Sequence, residues 1–253
     1  LDKDKLDSLY SQGNELTWTA PVDSRRDWGI ARGWIKERLP VGSRILDVGC
    51  FDGGFLEPLA SLYRCYGVEI HSAARKRAQG KNIEVVGQDF SSVRGTFDCI
   101  TAIDVIEHVQ QPKKFLSDCL AAVKEGGLVL ISTGNLDALT FRLKGSRYWY
   151  CTIAEHISFV SPTWFSRLAE ALGYRILKQE NFAHGDISWS QRTREVASNL
   201  LYRIVPLGFR ALRKLGMGGK NVKIYPELAD HPPSWMSACD HFMVLVQKRW
   251  PIA

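Results

Sequence analysis

One stretch limits the possible folds more than any other. Ile45-Leu46-Asp47-Val48 is a short apolar run, and Gly49-Cys50-Phe51-Asp52-Gly53-Gly54-Phe55 follows it without a break. A buried strand that empties into a glycine turn and then a helix is a cradle for a nucleotide cofactor, because glycine lets the backbone turn tightly beside a ligand. The middle of the turn decides which cofactor. A dinucleotide fingerprint needs glycine at position 51, where the chain closes on the pyrophosphate. Here Phe51 stands in that place. Its ring crowds the space that two linked phosphates need. The turn therefore favours an adenosyl ligand without them, and S-adenosylmethionine is the leading candidate.

The surrounding chain repeats a strand-then-helix rhythm. Residues 24–39 read as a helix with Ile30, Trp34, Ile35 and Leu39 on one side, ended by Pro40 and Gly42. Strands are expected at Arg44–Val48, Arg64–Glu69, Ile83–Gly87, Phe97–Ala102 and Leu128–Ser132, with later ones at Arg175–Glu180 and His241–Lys248. Helices are expected at Gly53–Leu62, where Pro58 predicts a kink or early stop, and at Ser72–Gln79 and Pro112–Val123. Residues 134–157 read as a loop or broken helix. Ser161-Pro162 then opens a capped helix that Gly173 closes. The strand interiors are continuous apolar runs, as in parallel strands buried on both faces. The fold class is α/β: a Rossmann-like, mostly parallel sheet in a three-layer sandwich, with a helical insertion. The expected divisions are an N-terminal helical segment (1–40), a cofactor-binding core (41–180), a basic helical insertion or cap (181–238) and the final strand (239–253).

Several side chains gather at the C-terminal ends of these strands. Gly49 and Gly53 allow the turn, and the helix after it is expected to aim free N–H groups at a methionine carboxylate. Asp47 can accept from the cofactor's ammonium. Glu69 stands 20 residues beyond Gly49, where a carboxylate binds both ribose hydroxyls. Asp89 can accept from the adenine amino group and Phe90 can pack beside the base. A lone acid after a strand is more often a turn or cap residue. A series at successive strand ends is harder to dismiss.

These motifs resemble the class I S-adenosylmethionine-dependent methyltransferases, in the small-molecule branch that includes ubiquinone-type O-methyltransferases and enzymes of surface-glycan and natural-product pathways. Leu46-Asp47-Val48-Gly49-Cys50, with Asp52-Gly53, is similar to the family's first motif; Glu69 matches its ribose acid and Asp89 its adenine-side acid. Phe97 to Val109 is similar to the strand-four motif, and Gly126 to Asn135 to the strand-five motif. Glu155-His156, Phe159 and Ser161-Pro162 match a late block. Two departures stand out: Phe51 for the middle glycine, and Gly134 where proline is common. The resemblance implies seven strands with the last antiparallel beside the sixth. It also implies S-adenosyl-L-methionine as cofactor, S-adenosyl-L-homocysteine as product, and a site that includes Cys50, Ile70, Ile103 and Asp104.

Methyl transfer is an in-line displacement on an activated carbon, so the protein must align the acceptor, exclude water and in some cases remove a proton. His108 and His156 are the candidate bases; the bland alternatives are that Glu107-His108 holds a helix start and that His156 anchors a lid. Asp98 is expected to be structural. Tyr148, Trp149 and Tyr150 either wall the acceptor site or fill the core, and Tyr225 and Trp235 are expected to close it from above. Asp240-His241 can also face it. No bound metal is expected: Glu107-His108 beside Asp104 is the only short ligand-like group, and the six cysteines show no paired spacing.

The net charge of +6 is concentrated. Residues 192–223 hold eight basic side chains and one acid, so the other 221 residues sum to −1. Two helical pieces divided by Pro206, residues 194–205 and 207–215, read as a basic amphipathic element whose apolar surface comes from Val196, Leu200, Leu201, Ile204, Val205, Phe209, Leu212 and Leu215. Its expected partners are an anionic membrane surface suited to a lipid-linked acceptor, or a phosphorylated small substrate; an ordinary cap helix with a solvated face is the plain alternative. Nucleic acid is disfavoured, because the basic residues are few and no aromatic-interleaved module accompanies them. An oligomer is compatible with the sequence. No apolar run approaches a membrane span, and the first 20 residues carry four acids without an apolar segment, so no signal peptide is expected. The expected location is cytoplasmic, with a membrane-peripheral option. Competing functions are N-methylation of a small amine, an NAD-dependent oxidoreductase, which Phe51 argues against, and a non-catalytic S-adenosylmethionine-binding protein.

Overall fold

The computed structural model describes residues 25–183, 188–217, 232, 233, 235 and 237–250. Seven strands form one sheet: β1 (Arg44–Val48), β2 (Arg64–Val68), β3 (Glu84–Gly87), β4 (Phe97–Ile103), β5 (Val123–Gly134), β6 (Tyr174–Phe182) and β7 (His241–Lys248). Their spatial order is β3-β2-β1-β4-β5-β7-β6. The pairs from β3 across to β5 are parallel, and β7 is antiparallel to both of its neighbours. After β3 the chain crosses back to lay β4 against the other side of β1. That reversal leaves a crevice beyond the C-terminal ends of β1 and β4, where open α/β sheets bind ligands.

Two apolar layers cover the sheet. One packs α1 (Arg26–Arg38) through Ala31 and Ile35 with Phe55, Leu56, Leu59 and Ile83; the other packs Phe115, Leu116, Cys119 and Leu120 of α3 (Pro112–Ala122) with Phe97, Phe165 and Phe242. Between them run the strands, whose Ile45, Leu46, Ile100, Leu130, Val244 and Leu245 are wholly buried. Alternate residues of one strand serve opposite layers: Ile45 joins the first and Leu46 the second. The remaining helices are α2 (Ser72–Gln79), α4 (Leu139–Lys144), α5 (Pro162–Leu168), α6 (Trp189–Ile204) and α7 (Pro206–Leu212). Ser161 caps α5 by accepting from the Trp164 N–H, and Gly173 turns the chain into β6 at φ +68°.

One expectation is corrected. The helix expected over Gly53–Leu62 is absent; its only regular piece is a single 3-10 turn, Glu57–Leu59. Pro58 occupies the start of that turn and has no N–H to extend it, and two glycines precede it. On α6 the apolar residues Val196, Leu200, Leu201 and Ile204 are exposed, and the buried ones are Glu195, Asn199 and Tyr202. Glu195 accounts for this orientation. Its carboxylate accepts from the N–H (2.9 Å) and hydroxyl (2.6 Å) of Ser237 and from Gln191, which ties the polar face inward.

Candidate active site

The glycine turn is held by its own backbone and by one carboxylate. The Gly49 and Cys50 N–H groups donate to the Val68 carbonyl (2.9 and 3.0 Å), and the Gly53 N–H to that of Cys50. Glu69, 6% exposed, accepts from the Phe51 N–H (2.9 Å) on one oxygen and from the His71 N–H (2.7 Å) on the other. This acid therefore fixes the turn to the end of β2. Because no helix follows the turn, no helix terminus aims N–H groups at a ligand. Gly53 has φ +78°, and a Cβ there would collide with Ile83. Phe51 takes φ +47°, the left-handed conformation glycine adopts freely, and its ring lies against the Arg77 guanidinium, 5.5 Å from the ring centre. The turn thus keeps its shape with phenylalanine in place, at a backbone cost of about 1–2 kcal/mol. Cys50 is buried, Ile70 is exposed and Ile103 is half-buried.

Carboxylates gather at the crevice. Asp47 is fully enclosed and accepts from the Thr101 hydroxyl (2.6 Å); burial raises its pKa to about 7, against the Thr101 hydrogen bond and helped by the charge of Glu69. Asp104 follows β4 at φ +54°, its N–H bonded to the Ser132 carbonyl (2.9 Å). Arg25 reaches back to bond Asp104 (2.6 Å) and Asp27. Burial opposes its charge, but the two carboxylates outweigh burial and hold the guanidinium firmly protonated. A crevice with three acids suits a ligand carrying sulfonium and ammonium charge, and it repels a pyrophosphate. Asp89 lies farther out, exposed, where it caps a short turn by accepting from the Ser91 N–H (2.8 Å). Phe90 packs edge-on against Phe115.

Beyond β4 and β5 lies a buried polar hub. Glu107, 1% exposed, accepts from the Tyr150 hydroxyl (2.5 Å) and from Thr133 (2.9 Å). Burial, then the nearby Asp104 charge, raises its pKa to about 7. The Tyr150 hydroxyl also accepts from the Gly134 N–H (3.0 Å), and a Cβ on residue 134 would strike the Tyr150 ring. That explains glycine at this position. The rings of His108 and His156 meet edge to face, 4.8 Å apart. Each presents Nδ1 to a backbone carbonyl: His108 to Glu155 (3.1 Å) and His156 to Tyr150 (2.9 Å). A carbonyl only accepts, so each Nδ1 carries the proton and each Nε2 keeps its lone pair. Burial lowers the pKa of both rings, that of His156 to about 4 with the help of His108, so both are neutral at pH 7.

Of the aromatic trio, Tyr148 and Tyr150 are buried and Trp149 is 47% exposed. Tyr148 donates to Asp240, whose other oxygen bonds His241 Nδ1 (2.9 Å). Asp98 is tied to the Arg44 N–H and to Lys124, a structural role. A cavity of about 650 Å³ opens between β6 and α6, lined by Asn135, Asn181, Trp189, Arg192 and Trp235 among others. Tyr225 lies outside the described residues. Sequence reading missed Arg25 and the hub role of Glu107. The burial of Glu107 had one visible signal, an acid that directly follows the apolar pair Val105-Ile106.

A doubly wound sheet with this last-strand arrangement, a glycine turn and an acid at the end of β2 that clamps the turn defines a class I S-adenosylmethionine-dependent methyltransferase. The chain belongs to the methyltransferase-domain family, whose profile matches residues 28–179. It is an enzyme that uses S-adenosylmethionine and acts on a small-molecule acceptor. It is similar to the ubiquinone biosynthesis O-methyltransferase of Thiobacillus denitrificans, 29% identical over 158 residues, which are 55% of this chain and 68% of the relative. The enzyme of the same name from Maricaulis maris is 37% identical over 122 residues, 44% of this chain and 48% of the relative. Among solved structures, the fold is shared by Haemonchus contortus phosphoethanolamine N-methyltransferase 2, bound to phosphomonomethylethanolamine and S-adenosylhomocysteine. Its TM-score is 0.58 at 19% identity, covering 90% of this chain and 54% of the other. The fold also recurs in magnesium protoporphyrin IX methyltransferase of Synechocystis with bound S-adenosylhomocysteine. There the TM-score is 0.52 at 17% identity, covering 70% and 86% of the two chains.

Proposed function

We infer that this enzyme methylates an oxygen of a small hydroxylated acceptor of glycan, phenolic or natural-product type. The observation that carries this reading is the pair of neutral imidazoles, packed edge to face, each with Nδ1 held on a backbone carbonyl and each within reach of the Asp104 charge. A neutral imidazole accepts the proton an acceptor hydroxyl loses as its oxygen takes the methyl group. Both curated relatives named above carry O-methyltransferase names, which supports oxygen. A small amine is the alternative.

The cofactor, when bound, supplies a methyl group already activated on a sulfonium sulfur. The chain's residues then divide the binding. Gly49, Cys50, Phe51 and Gly53 shape the turn, and Glu69 would bind the ribose hydroxyls while it clamps the turn. Asp47 and Asp104 would meet the cationic methionine end. Asp89 and Phe90, with Ile70 and Ile103, would contact the adenine side. Trp149 is the exposed ring available to the acceptor, and Trp235 lines the neighbouring cavity. The test is a methyl-transfer assay over phenols, glycosides and amines with products identified by mass spectrometry. His108→Ala and His156→Ala should each lower kcat at least tenfold on the best hydroxyl acceptor. Methylation of amines alone, with both variants fully active, would overturn the reading.

One observation favours a second reading. The ligand atoms of Glu107, His108 and His156 lie within 4.8 Å of one another, a spacing that a divalent ion could use. Activity lost to a chelator and restored by one metal would assign these residues to coordination. Indifference to the chelator keeps them as proton acceptors.

A further inference from the structure

Helix α6 wears its apolar side outward. Of fifteen large hydrophobic residues exposed among the described residues, nine fall between 189 and 215. Trp189, Ile204, Leu207 and Leu215 are 75–82% exposed. At about 100° per residue, Trp189, Val196, Leu200 and Ile204 share an arc of roughly 80° on α6. Glu195, Asn199 and Tyr202, the buried residues, occupy the opposite side.

Charge follows the same geometry. Arg192 and Arg203 border the apolar arc on one side and Arg194 on the other, all three exposed. Beyond them Lys214 is exposed in the turn after α7, while Arg210 is half-buried and donates to the Tyr202 hydroxyl (3.1 Å) and Arg213 lies over the Phe209 ring. The single acid between residues 189 and 215 is Glu195, which faces inward and is bonded to Ser237. The outward surface therefore combines apolar side chains with cations and no anion. Long basic side chains that flank an apolar stripe lay their stems along it and lift their heads to a negative surface.

We propose that α6 and α7 form a docking face for an anionic lipid bilayer. The apolar arc enters the acyl boundary while the arginines meet lipid phosphates. Among the described residues no helix is long and apolar enough to cross a membrane, so this contact lies along the surface. The same face supplies Trp189, Arg192 and Val196 to the 650 Å³ cavity, which places that opening beside the bilayer. Binding here is independent of which acceptor the enzyme methylates.

The test is co-sedimentation of the 253-residue chain with vesicles of phosphatidylcholine alone or with added phosphatidylglycerol. The anionic vesicles should bind at least tenfold better, and salt should weaken that binding. The paired change Ile204→Glu and Leu207→Glu should reduce binding at least tenfold. Arg203→Glu should reduce it about fivefold or more, since each basic side chain near an anionic surface contributes about fivefold. Val41→Glu, 73% exposed outside this face, should leave it unchanged. Thermal melts should match throughout, because every changed residue is exposed. Equal or absent binding to the two vesicle types overturns the proposal. So does a vesicle-free dimer that the paired change converts to monomer, since that would make the face a self-association surface.

Discussion

Glu107 invites a measurement in which pH and a single atom exchange give opposite answers. Its carboxyl is almost wholly buried between Tyr150 and Thr133, and its pKa is about 7 against an ordinary 4.5. Among the described residues no lysine or arginine forms a salt bridge with it. The native state therefore holds this proton across a window in which the unfolded chain has released it. Stability from this group is complete below about pH 4.5 and is lost as pH rises through 7. The loss amounts to about 3 kcal/mol, at 1.36 kcal/mol for each unit of pKa. Glu107→Gln cannot ionise. It keeps the shape but leaves one hydroxyl contact less well matched, at about 1 kcal/mol. The variant should be less stable than the parent at pH 5 and about 2 kcal/mol more stable at pH 8.5. For a chain of this size that is a melting temperature about 4–8 °C higher. Scanning calorimetry of the ligand-free proteins in chelator, from pH 5 to 8.5, should show the two curves crossing. Parallel curves would refute the claim that a buried, proton-holding carboxyl sits at the hub.

Other tests follow from the same geometry. Phe51→Ala should destabilise more than Phe51→Gly by about 1 kcal/mol, because alanine keeps the left-handed backbone cost and glycine does not; urea melts read the difference. Glu69→Ala removes an acceptor from two backbone N–H groups, so it should cost about 3 kcal/mol and weaken S-adenosylhomocysteine at least tenfold by calorimetry. Arg25→Gln should destabilise by about 2–3 kcal/mol, since it strands Asp27, 1% exposed, beside Asp104. Affinity for S-adenosylmethionine should rise about tenfold between pH 6 and 8 as Asp47 ionises, since only the carboxylate attracts a cationic ligand. A flat or falling profile would remove Asp47 from the cofactor's charged end.

The central strands β1, β4 and β7 were legible because each is a run of mostly apolar residues too short and too continuous for an amphipathic helix. The last strand, His241–Lys248, has the bounds its residues suggest, and it pairs antiparallel with β5 and β6. The glycine turn was legible from spacing, as was the position of Glu69 directly after β2. What local pattern could not show were partnerships across the chain. Arg25 meets Asp104 from 79 residues away, and no periodicity marks either. His156 joins His108 only because the segment after β5 folds back over the end of β4, with Ser158 and Ile157 both bonded to the Glu107 carbonyl. The rotation of α6 was not legible for a related reason. Apolar spacing shows which side chains share a face, but a carboxylate bonded to Ser237 decides which face turns inward. The lost helix after the turn follows from one proline that outweighed a plausible apolar pattern.

The most direct test of the whole account is titration calorimetry of the purified chain with S-adenosylhomocysteine and, separately, with NAD. One site should bind S-adenosylhomocysteine, weakened by Glu69→Ala, while NAD gives no heat. Uptake of NAD with indifference to S-adenosylhomocysteine would contradict it.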